Sequence, residues 1–229
     1  TKQILYSNIL TQKCIDTDKK LMEEKNKMNK ESVDLLSKYE SLLTNYDKLI
    51  KDYEDLNNTL YQYIKDLEKI DSKGIGKSTI GGWHSPNFDL ERSEPRIFVN
   101  AINKSLNQAF IDMSWDVKSH KVKITGMWSI INKIGASNAR HTHPNSFLSA
   151  AYYVKAPKNC GEIMFHDPRS APSFRRPKII QDNLLNASQI SIVPEEGLLV
   201  LFPSWLHHSV QANTSNEERI VISFNIDLK

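Results

Sequence analysis

The feature that most restricts the fold is the absence of glycine and proline from residues 1–73. These two residues are the ones that most readily interrupt a helix, because proline removes a backbone donor and glycine is conformationally free. Asp16 and Thr17 are suitable helix caps, and nothing between them and Ile70 would end a helix. The sequence therefore predicts one long helix in this segment.

The organisation of the whole chain follows from this segment and its surroundings. Residues 4–10 are β-like, and we expect a first strand of the main domain within residues 1–12. The long helix then occupies residues 13–73, and the main domain continues over residues 74–229. The helix is interpreted as an insertion after that first strand.

One face of the long helix carries an unbroken 4–3 repeat of apolar and aromatic residues: Leu35, Tyr39, Leu42, Tyr46, Leu49, Tyr53, Leu56, Leu60, Tyr63, Leu67 and Ile70. Such a heptad pattern is typical of a coiled coil, so we expect a homo-oligomer formed through residues 35–70. The alternative is a helix packed on the domain, or a helical hairpin with a turn near Asn57-Asn58 or Thr44-Asn45.

The chain changes character after the long helix. Residues 95–113 have the period of an amphipathic helix. Short β-rich runs separated by Gly, Pro and Asn follow at residues 122–131, 147–154, 162–165, 189–193, 198–202 and 219–226. Many short strands after an opening helix predict an antiparallel sandwich or barrel.

Composition says more about where the protein is located than about what it does. The net charge of +3 is too small to argue for nucleic-acid binding, and no apolar run approaches the roughly 20 residues that a membrane span needs. Cys14 and Cys160 lie in unrelated contexts, which favours reduced thiols and a cytoplasmic location. If the chain is phage-encoded, that location would be the host cytoplasm or a virion.

Chemistry is indicated by histidines at two separated places. His141 and His143 are spaced i, i+2 just before a strand, so in an extended chain they face one point. His208 lies where one late strand gives way to the next, and Arg219 opens the last strand eleven residues further on. Imidazoles suit Fe(II), and an arginine fork suits a carboxylate, so the set predicts an iron site beside a carboxylate site.

The motifs around these residues resemble the 2-oxoglutarate- and Fe(II)-dependent dioxygenase superfamily, on the prolyl-hydroxylase side. More narrowly, they resemble a group of 2-oxoglutarate oxygenases common in bacteria and marine phages. The matching motifs are G-G-W-H-S at 81–85, H-x-H-P-x-S at 141–146, Y-Y-V at 152–154, G-x-I-x-F-x-D-P-R at 161–169 and F-P-S-W-L-x-H at 202–208. The resemblance covers residues 80–229 and implies a mainly β double-stranded β-helix, or jelly roll.

The resemblance implies roles for individual residues. His141 and His208 match the two histidine ligands of Fe(II). Arg219 matches the residue that pairs with the far carboxylate of the co-substrate 2-oxoglutarate, with Ser223 on the same face of the strand. Tyr153 matches a tyrosine that reaches the same co-substrate. O2 is the second co-substrate that the resemblance implies.

His143 departs from the superfamily pattern, which has Asp or Glu two residues after the first histidine. A neutral imidazole there removes one negative charge from the metal site. Three interpretations stay open: His143 is the third metal ligand, His143 stands back while water fills the position, or the site is inactive.

Four further residues are candidates for substrate contact near the mouth of the site: Trp128, Asn132, Asn145 and Arg169. Core packing is the alternative for Trp128. An ion pair with Asp167 is the alternative for Arg169.

The predicted function is a dioxygenase that hydroxylates a substrate and releases succinate and CO2. A rival interpretation is a structural or assembly protein, for example of a phage particle, in which the coiled coil builds the assembly and the oxygenase fold has little activity. A metal-dependent isomerase or sugar-binding cupin shares the H-x-H pattern but has no use for the spacing between His208 and Arg219.

Overall fold

A computed structural model gives the fold, with side chains described from residue 17 onward. The described residues are 2–116, 118–169, 177–181, 183 and 185–228. The chain divides into two compact units, residues 1–52 and residues 53–229. Across the described ranges, no helix is long and apolar enough to cross a membrane.

The first helix, α1 (Lys2–Ile70), is continuous and belongs to both units. The expectation of a strand at residues 4–10 is wrong, because those residues are helical. The hairpin alternative is also wrong, since the helix continues through Thr44-Asn45 and Asn57-Asn58. A short β-prone or Asn-containing stretch does not end a helix when no residue in it removes a donor or forces a turn.

The apolar stripe of α1 has different surroundings in the two units. In residues 17–52 its side chains are exposed, among them Leu35, Leu36, Tyr39, Leu42, Leu43, Tyr46, Leu49 and Ile50. In the second unit the stripe packs into the main core, where Leu60, Tyr63 and Ile64 are buried. The packing alternative therefore holds for the last turns of α1, and the coiled coil stays a prediction for residues 35–52.

The last turns of α1 are bonded to the strands behind them. The Asn57 amide donates to the Val154 carbonyl oxygen at 3.2 Å and accepts from the Tyr152 hydroxyl at 2.8 Å. Lys65 forms ion pairs with Glu68 and, at 3.1 Å, with Glu218. A buried amide with its donors and acceptors matched fixes the helix in one register on the domain.

Ten strands lie within the described residues: β1 (Thr79–Ile80), β2 (Trp83–His84), β3 (Val122–Asn132), β4 (Ser137–His141), β5 (Leu148–Lys155), β6 (Ile163–His166), β7 (Gln189–Ile192), β8 (Leu199–Pro203), β9 (His208–Val210) and β10 (Arg219–Leu228). They form two antiparallel five-stranded sheets. The minor sheet has the order β1-β4-β9-β6-β7 and the major sheet β2-β3-β10-β5-β8. This confirms the mainly β, two-sheet expectation and is consistent with a jelly-roll oxygenase fold.

The second helix, α2 (Ser93–Asp112), lies close to the predicted bounds of residues 95–113. It buries Pro95, Phe98, Ile102, Leu106 and Phe110, which spread along one face. The Phe98 ring contacts those of Tyr152 and Phe224, with centroids 4.9 and 5.9 Å away. Full burial of such a side chain contributes about 1.5–3 kcal/mol. Buried residues of α2 and of the end of α1 belong to the same core cluster as those of the major sheet.

Candidate active site

Three histidines meet where β4 and β9 pair. His141 ends β4 and lies opposite His208, which begins β9. His143 follows two residues later, and its backbone N–H donates to the Ser204 carbonyl oxygen at 2.9 Å. One ring nitrogen from each histidine lies within 4.8 Å of the others. The structure thus brings the three predicted ligands together in a cluster that can hold a metal ion.

Hydrogen bonds determine which ring nitrogen is available in His141 and His208. The Nδ1 atom of His141 lies 2.7 Å from the Ala139 carbonyl oxygen, and that of His208 lies 2.9 Å from the Leu206 carbonyl oxygen. A carbonyl oxygen only accepts, so each Nδ1 carries the hydrogen. Each Nε2 is then unprotonated, which is the form that binds a metal.

His143 is held in the same way by side chains. Its Nδ1 lies 2.7 Å from Asn225 Oδ1 and 2.8 Å from Ser149 Oγ, and the serine hydroxyl donates to the same amide oxygen at 2.9 Å. Asn225 on β10 and Ser149 on β5 are paired across the two strands. Sequence analysis did not assign a role to either residue. Their presence orients His143 as the other two histidines are oriented.

Burial keeps the three rings neutral. It lowers the pKa of His208 to about 3, despite the opposing hydrogen bond from its ring to the Leu206 carbonyl. Burial also lowers the pKa values of His141 and His143. The Phe202 ring lies against His208, with centroids 4.7 Å apart. The cluster can therefore bind a divalent cation near neutral pH without first losing protons.

A cavity of about 720 Å³ opens from the histidine cluster towards Arg219, and both line it. Arg219 is 2% exposed. Its guanidinium donates to the Gly161 carbonyl oxygen at 3.0 Å and to that of Cys160. Among the described residues no carboxylate lies within 4 Å of it, and burial lowers its pKa. A buried cation without a counter-ion, facing a cavity, is a site for an anion.

The other two residues expected at the co-substrate site also line this cavity. Tyr153 is buried, and burial raises the pKa of its hydroxyl to about 12, against the opposing effect of the Arg219 charge. Ser223 lies on β10 four residues beyond Arg219. Gly161 has a φ of +88°, and a Cβ there would be 2.9 Å from an Arg219 guanidinium nitrogen. Glycine at this position therefore gives the arginine its space.

The candidate substrate residues are distributed unequally. Trp128 lines the cavity; its ring lies 5.5 Å from that of His143 and is parallel to that of His84 at 5.7 Å. His84 was not given a role from the sequence, although it belongs to the G-G-W-H-S motif. Its burial beside the cavity shows where that motif lies.

The remaining candidates lie outside the cavity lining. Asn132 is fully buried and donates to Asn138 Oδ1 at 3.0 Å, a bond between strands. Asn145 is exposed in a turn with a φ of 63°. Arg169 is paired with Asp167 at 2.9 Å, which is the ion-pair alternative. These three residues are close in sequence to the site motifs, but their side chains are not among those that line the cavity.

A comparison with protein-family profiles matches residues 126–225 to the family described as "Putative 2OG-Fe(II) oxygenase". The matched stretch contains the three histidines, Tyr153, Arg219 and Ser223. The match covers 100 of the 229 residues, so this part of the chain is similar to 2-oxoglutarate/Fe(II) oxygenases. Together with the histidine cluster it indicates an enzyme of the oxygenase class, with Fe(II) and 2-oxoglutarate as cofactor and co-substrate. The imidazole donors fit that metal.

Solved structures support the fold of this oxygenase. A prolyl-4-hydroxylase from Pseudomonas putida is 17% identical, with a TM-score of 0.53 over 76% of this chain and 86% of that one. A prolyl hydroxylase from Trichoplax adhaerens, in complex with a hypoxia-inducible-factor peptide, is 12% identical, with a TM-score of 0.52 over 76% and 78%. A non-heme α-ketoglutarate-dependent carbocyclase from nogalamycin biosynthesis is 11% identical, with a TM-score of 0.51 over 73% of each chain. No curated protein sequence matches the chain.

Proposed function

We propose that this oxygenase hydroxylates a C–H bond of its substrate and releases succinate and CO2. The observation that carries the proposal is Arg219: a buried guanidinium that has no carboxylate partner among the described residues and lines the same cavity as the histidine cluster. Such a group suits the far carboxylate of 2-oxoglutarate, because planar N–H donors match a carboxylate.

In this proposal His141, His143 and His208 hold Fe(II) through Nε2. When bound with 2-oxoglutarate, Fe(II) supplies O2 activation coupled to oxidative decarboxylation of the co-substrate. The chain's own residues orient the reactants and exclude water. Arg219 binds the far carboxylate, with Ser223 and Tyr153 beside it. The apolar lining from Ile163, Phe202 and Val221 keeps that end of the cavity dry.

The hydrogen bonds of His143 support its role as the third ligand. A histidine that stood back from the metal would not need its Nδ1 held by both Asn225 and Ser149. Donation of the distal ring N–H to an oxygen acceptor is what metal-bound histidines commonly show. All three ligands are then neutral, so the protein contributes no negative charge to the metal site.

Succinate formation tests the proposed reaction. The full chain is incubated with Fe(II), 2-oxoglutarate and O2, and succinate is measured by NMR. Oxygenases can turn over 2-oxoglutarate slowly without substrate, so we expect succinate from the parent chain and its loss in His208→Ala. The exposed His120→Ala variant is the matched control. Binding of Fe(II) and 2-oxoglutarate with no succinate, with or without candidate substrates, would contradict the reaction.

We also propose that residues 35–52 associate with a second copy of the chain. The heptad stripe is unbroken there and its side chains are exposed, as the helices of a coiled coil would require before pairing. Light scattering on the full chain should give a multimer, and a chain beginning at Tyr53 a monomer. Truncation at residue 74 is unsuitable because it removes Leu60, Tyr63 and Ile64 from the core.

Point variants separate stripe pairing from a general effect of charge. Leu42→Asp with Leu49→Asp places two charges in the stripe and should give a monomer. Thr44→Asp with Lys48→Asp places them on the outer face of the same helix and should leave the mass unchanged. A full chain that is monomeric at high micromolar concentration would overturn the proposed association.

A further inference from the structure

The two other cations in the cavity lining differ from Arg219 in exposure. Lys77 and Arg140 are exposed, so we take them to mark the outer part of the cavity, whereas Arg219 is 2% exposed. The lining also includes His84, Asn87 and Trp128. The proposed co-substrate site uses none of these side chains. They are therefore available to the substrate, and their chemistry indicates what substrate fits.

No acidic residue is found among the described residues that line the cavity. The charged side chains in the lining are Lys77, Arg140 and Arg219. Arg219 is assigned to 2-oxoglutarate, whose two negative charges offset the two positive charges of Fe(II). Because the three histidines are neutral, no described residue of the lining offsets the charges of Lys77 and Arg140. A cleft of one sign concentrates ligands of the opposite sign.

Lys77 and Arg140 are brought together by the pairing of β1 with β4. Thr79 lies opposite Asn138, and the Ala139 N–H donates to the Ser78 carbonyl oxygen at 2.8 Å. Lys77 precedes Ser78 and Arg140 follows Ala139, so the two cations flank this hydrogen-bonded pair of residues. Both side chains also line the same cavity.

Neither cation has an ion-pair partner within the described part of the chain. Burial lowers the pKa values of His84 and His166, and the charges of Lys77 and Arg140, respectively, lower them further. Asp167, which follows His166, forms an ion pair with Arg169. A bound anion would relieve the repulsion between the two cations, as an arginine fork and a lysine commonly do for phosphate or carboxylate.

We propose that the substrate is a small anionic molecule whose phosphate or carboxylate group binds between Lys77 and Arg140, with its body against Trp128. The inference rests on the proposed function, because it takes the Arg219 end of the cavity as the 2-oxoglutarate site. It gives the reaction a substrate class, a phosphate ester or a carboxylic acid.

The test uses the full chain loaded with Co(II) and saturating 2-oxoglutarate, without O2. Three probes share a ring and differ in charge: phenyl phosphate, benzoate and benzylamine. Titration calorimetry gives the affinity of each, and paramagnetic broadening of the probe's proton NMR signals shows whether it lies near the metal. If only phenyl phosphate binds, the substrate is a phosphate ester. If only benzoate binds, it is a carboxylic acid. If both bind, the site accepts either group.

We expect phenyl phosphate or benzoate to bind and be broadened, and benzylamine to bind at least about tenfold more weakly. Lys77→Glu and Arg140→Glu should each weaken the anion about tenfold or more, and added salt should weaken it in the parent chain. Lys104→Glu, the same charge change on the exposed face of α2, is the matched control.

The outcomes separate the two proposals. Benzylamine binding as tightly as the anions, or anion binding unaffected by both charge reversals, overturns the substrate assignment while 2-oxoglutarate binding stands. A parent chain that does not bind 2-oxoglutarate overturns the proposed function instead. Retention of 2-oxoglutarate affinity in Lys77→Glu and Arg140→Glu supports the division of the cavity into two halves.

Discussion

Replacement of Arg219 by methionine should separate the stability of the domain from its affinity for 2-oxoglutarate. The guanidinium is 2% exposed and lacks a carboxylate partner within the described residues. An unpaired buried ion costs several kcal/mol of desolvation, whereas the two carbonyl oxygens that lose its hydrogen bonds cost about 1–3 kcal/mol each if left without a donor. Methionine fills similar space without the charge. We therefore expect the ligand-free variant to be no less stable than the parent chain.

Binding of 2-oxoglutarate should respond in the opposite direction. Loss of one partner of a buried, hydrogen-bonded charge pair costs about 2–5 kcal/mol, which is a loss of affinity of about 30-fold or more. A ligand at 100 times its Kd stabilises a protein by about 2.7 kcal/mol, and at a 30-fold higher Kd by about 0.9 kcal/mol. For a unit of this size, 1 kcal/mol corresponds to about 2–4 °C in Tm.

Thermal unfolding with Ni(II) in place of Fe(II) measures both effects without turnover. The parent chain should gain about 5–11 °C in Tm on addition of 2-oxoglutarate, and Arg219→Met about 2–4 °C or less. Arg96→Met, which removes an exposed arginine of α2, should keep the full gain. Two results would refute the reasoning: a full gain in Arg219→Met, or a ligand-free Arg219→Met that unfolds many degrees below the parent.

Three further predictions concern the supports of the site. Asn225→Leu removes the acceptor of His143 Nδ1–H and should lower the Co(II) affinity, measured by calorimetry, about 10–100-fold. Ser149→Ala should lower it less, because the asparagine remains. Equal affinity in the parent chain and both variants would show that these two residues do not support His143 as a ligand. Asn57→Leu should lower the free energy of unfolding in urea by about 1–3 kcal/mol, because the Val154 carbonyl and Tyr152 hydroxyl lose a partner; Tyr152→Phe added to it should cost less than it does in the parent chain. The pKa values of His141, His143 and His208 are lowered in the folded chain, so on acidification the unfolded chain takes up protons first. The contribution of these histidines to the free energy of unfolding without metal should therefore be fully present above about pH 6.5 and be lost as the pH is lowered towards 3. Urea titrations from pH 7.5 to pH 4 check this, with a shallower dependence expected in His208→Gln and an unchanged one in His120→Ala.

The parts that could be predicted from the sequence are those whose information is local. An i, i+2 histidine pair, a later histidine and a following arginine indicate the metal and carboxylate sites because strand geometry fixes where neighbouring side chains point. The longer strands β3, β5 and β10 have enough β-branched and aromatic residues to be recognised. The two- to five-residue strands β1, β2, β4 and β9 do not, and each forms by pairing with a strand from elsewhere in the chain.

The parts that could not be predicted depend on which strands pair and on which sheet each strand joins. Asn225 and Ser149 reach His143 because β10 and β5 pair, over separations of 82 and 6 residues. The stripe of α1 indicates an apolar face, but its period does not say what covers that face. In the last turns the major sheet covers it, through bonds such as the one from Asn57 to Val154, 97 residues away. Asn132 was expected near the mouth of the site, but its amide is bonded to Asn138 on the other sheet and it is not among the residues that line the cavity.

The position of β10 has a consequence for biosynthesis. It follows every other described strand in sequence, yet it lies between β3 and β5 at the centre of the major sheet. It also carries Arg219, Ser223 and Asn225, all of which line the cavity. Because domains generally fold as units, synthesis of the other nine described strands leaves both the centre of the major sheet and this side of the pocket unformed until β10 has been made.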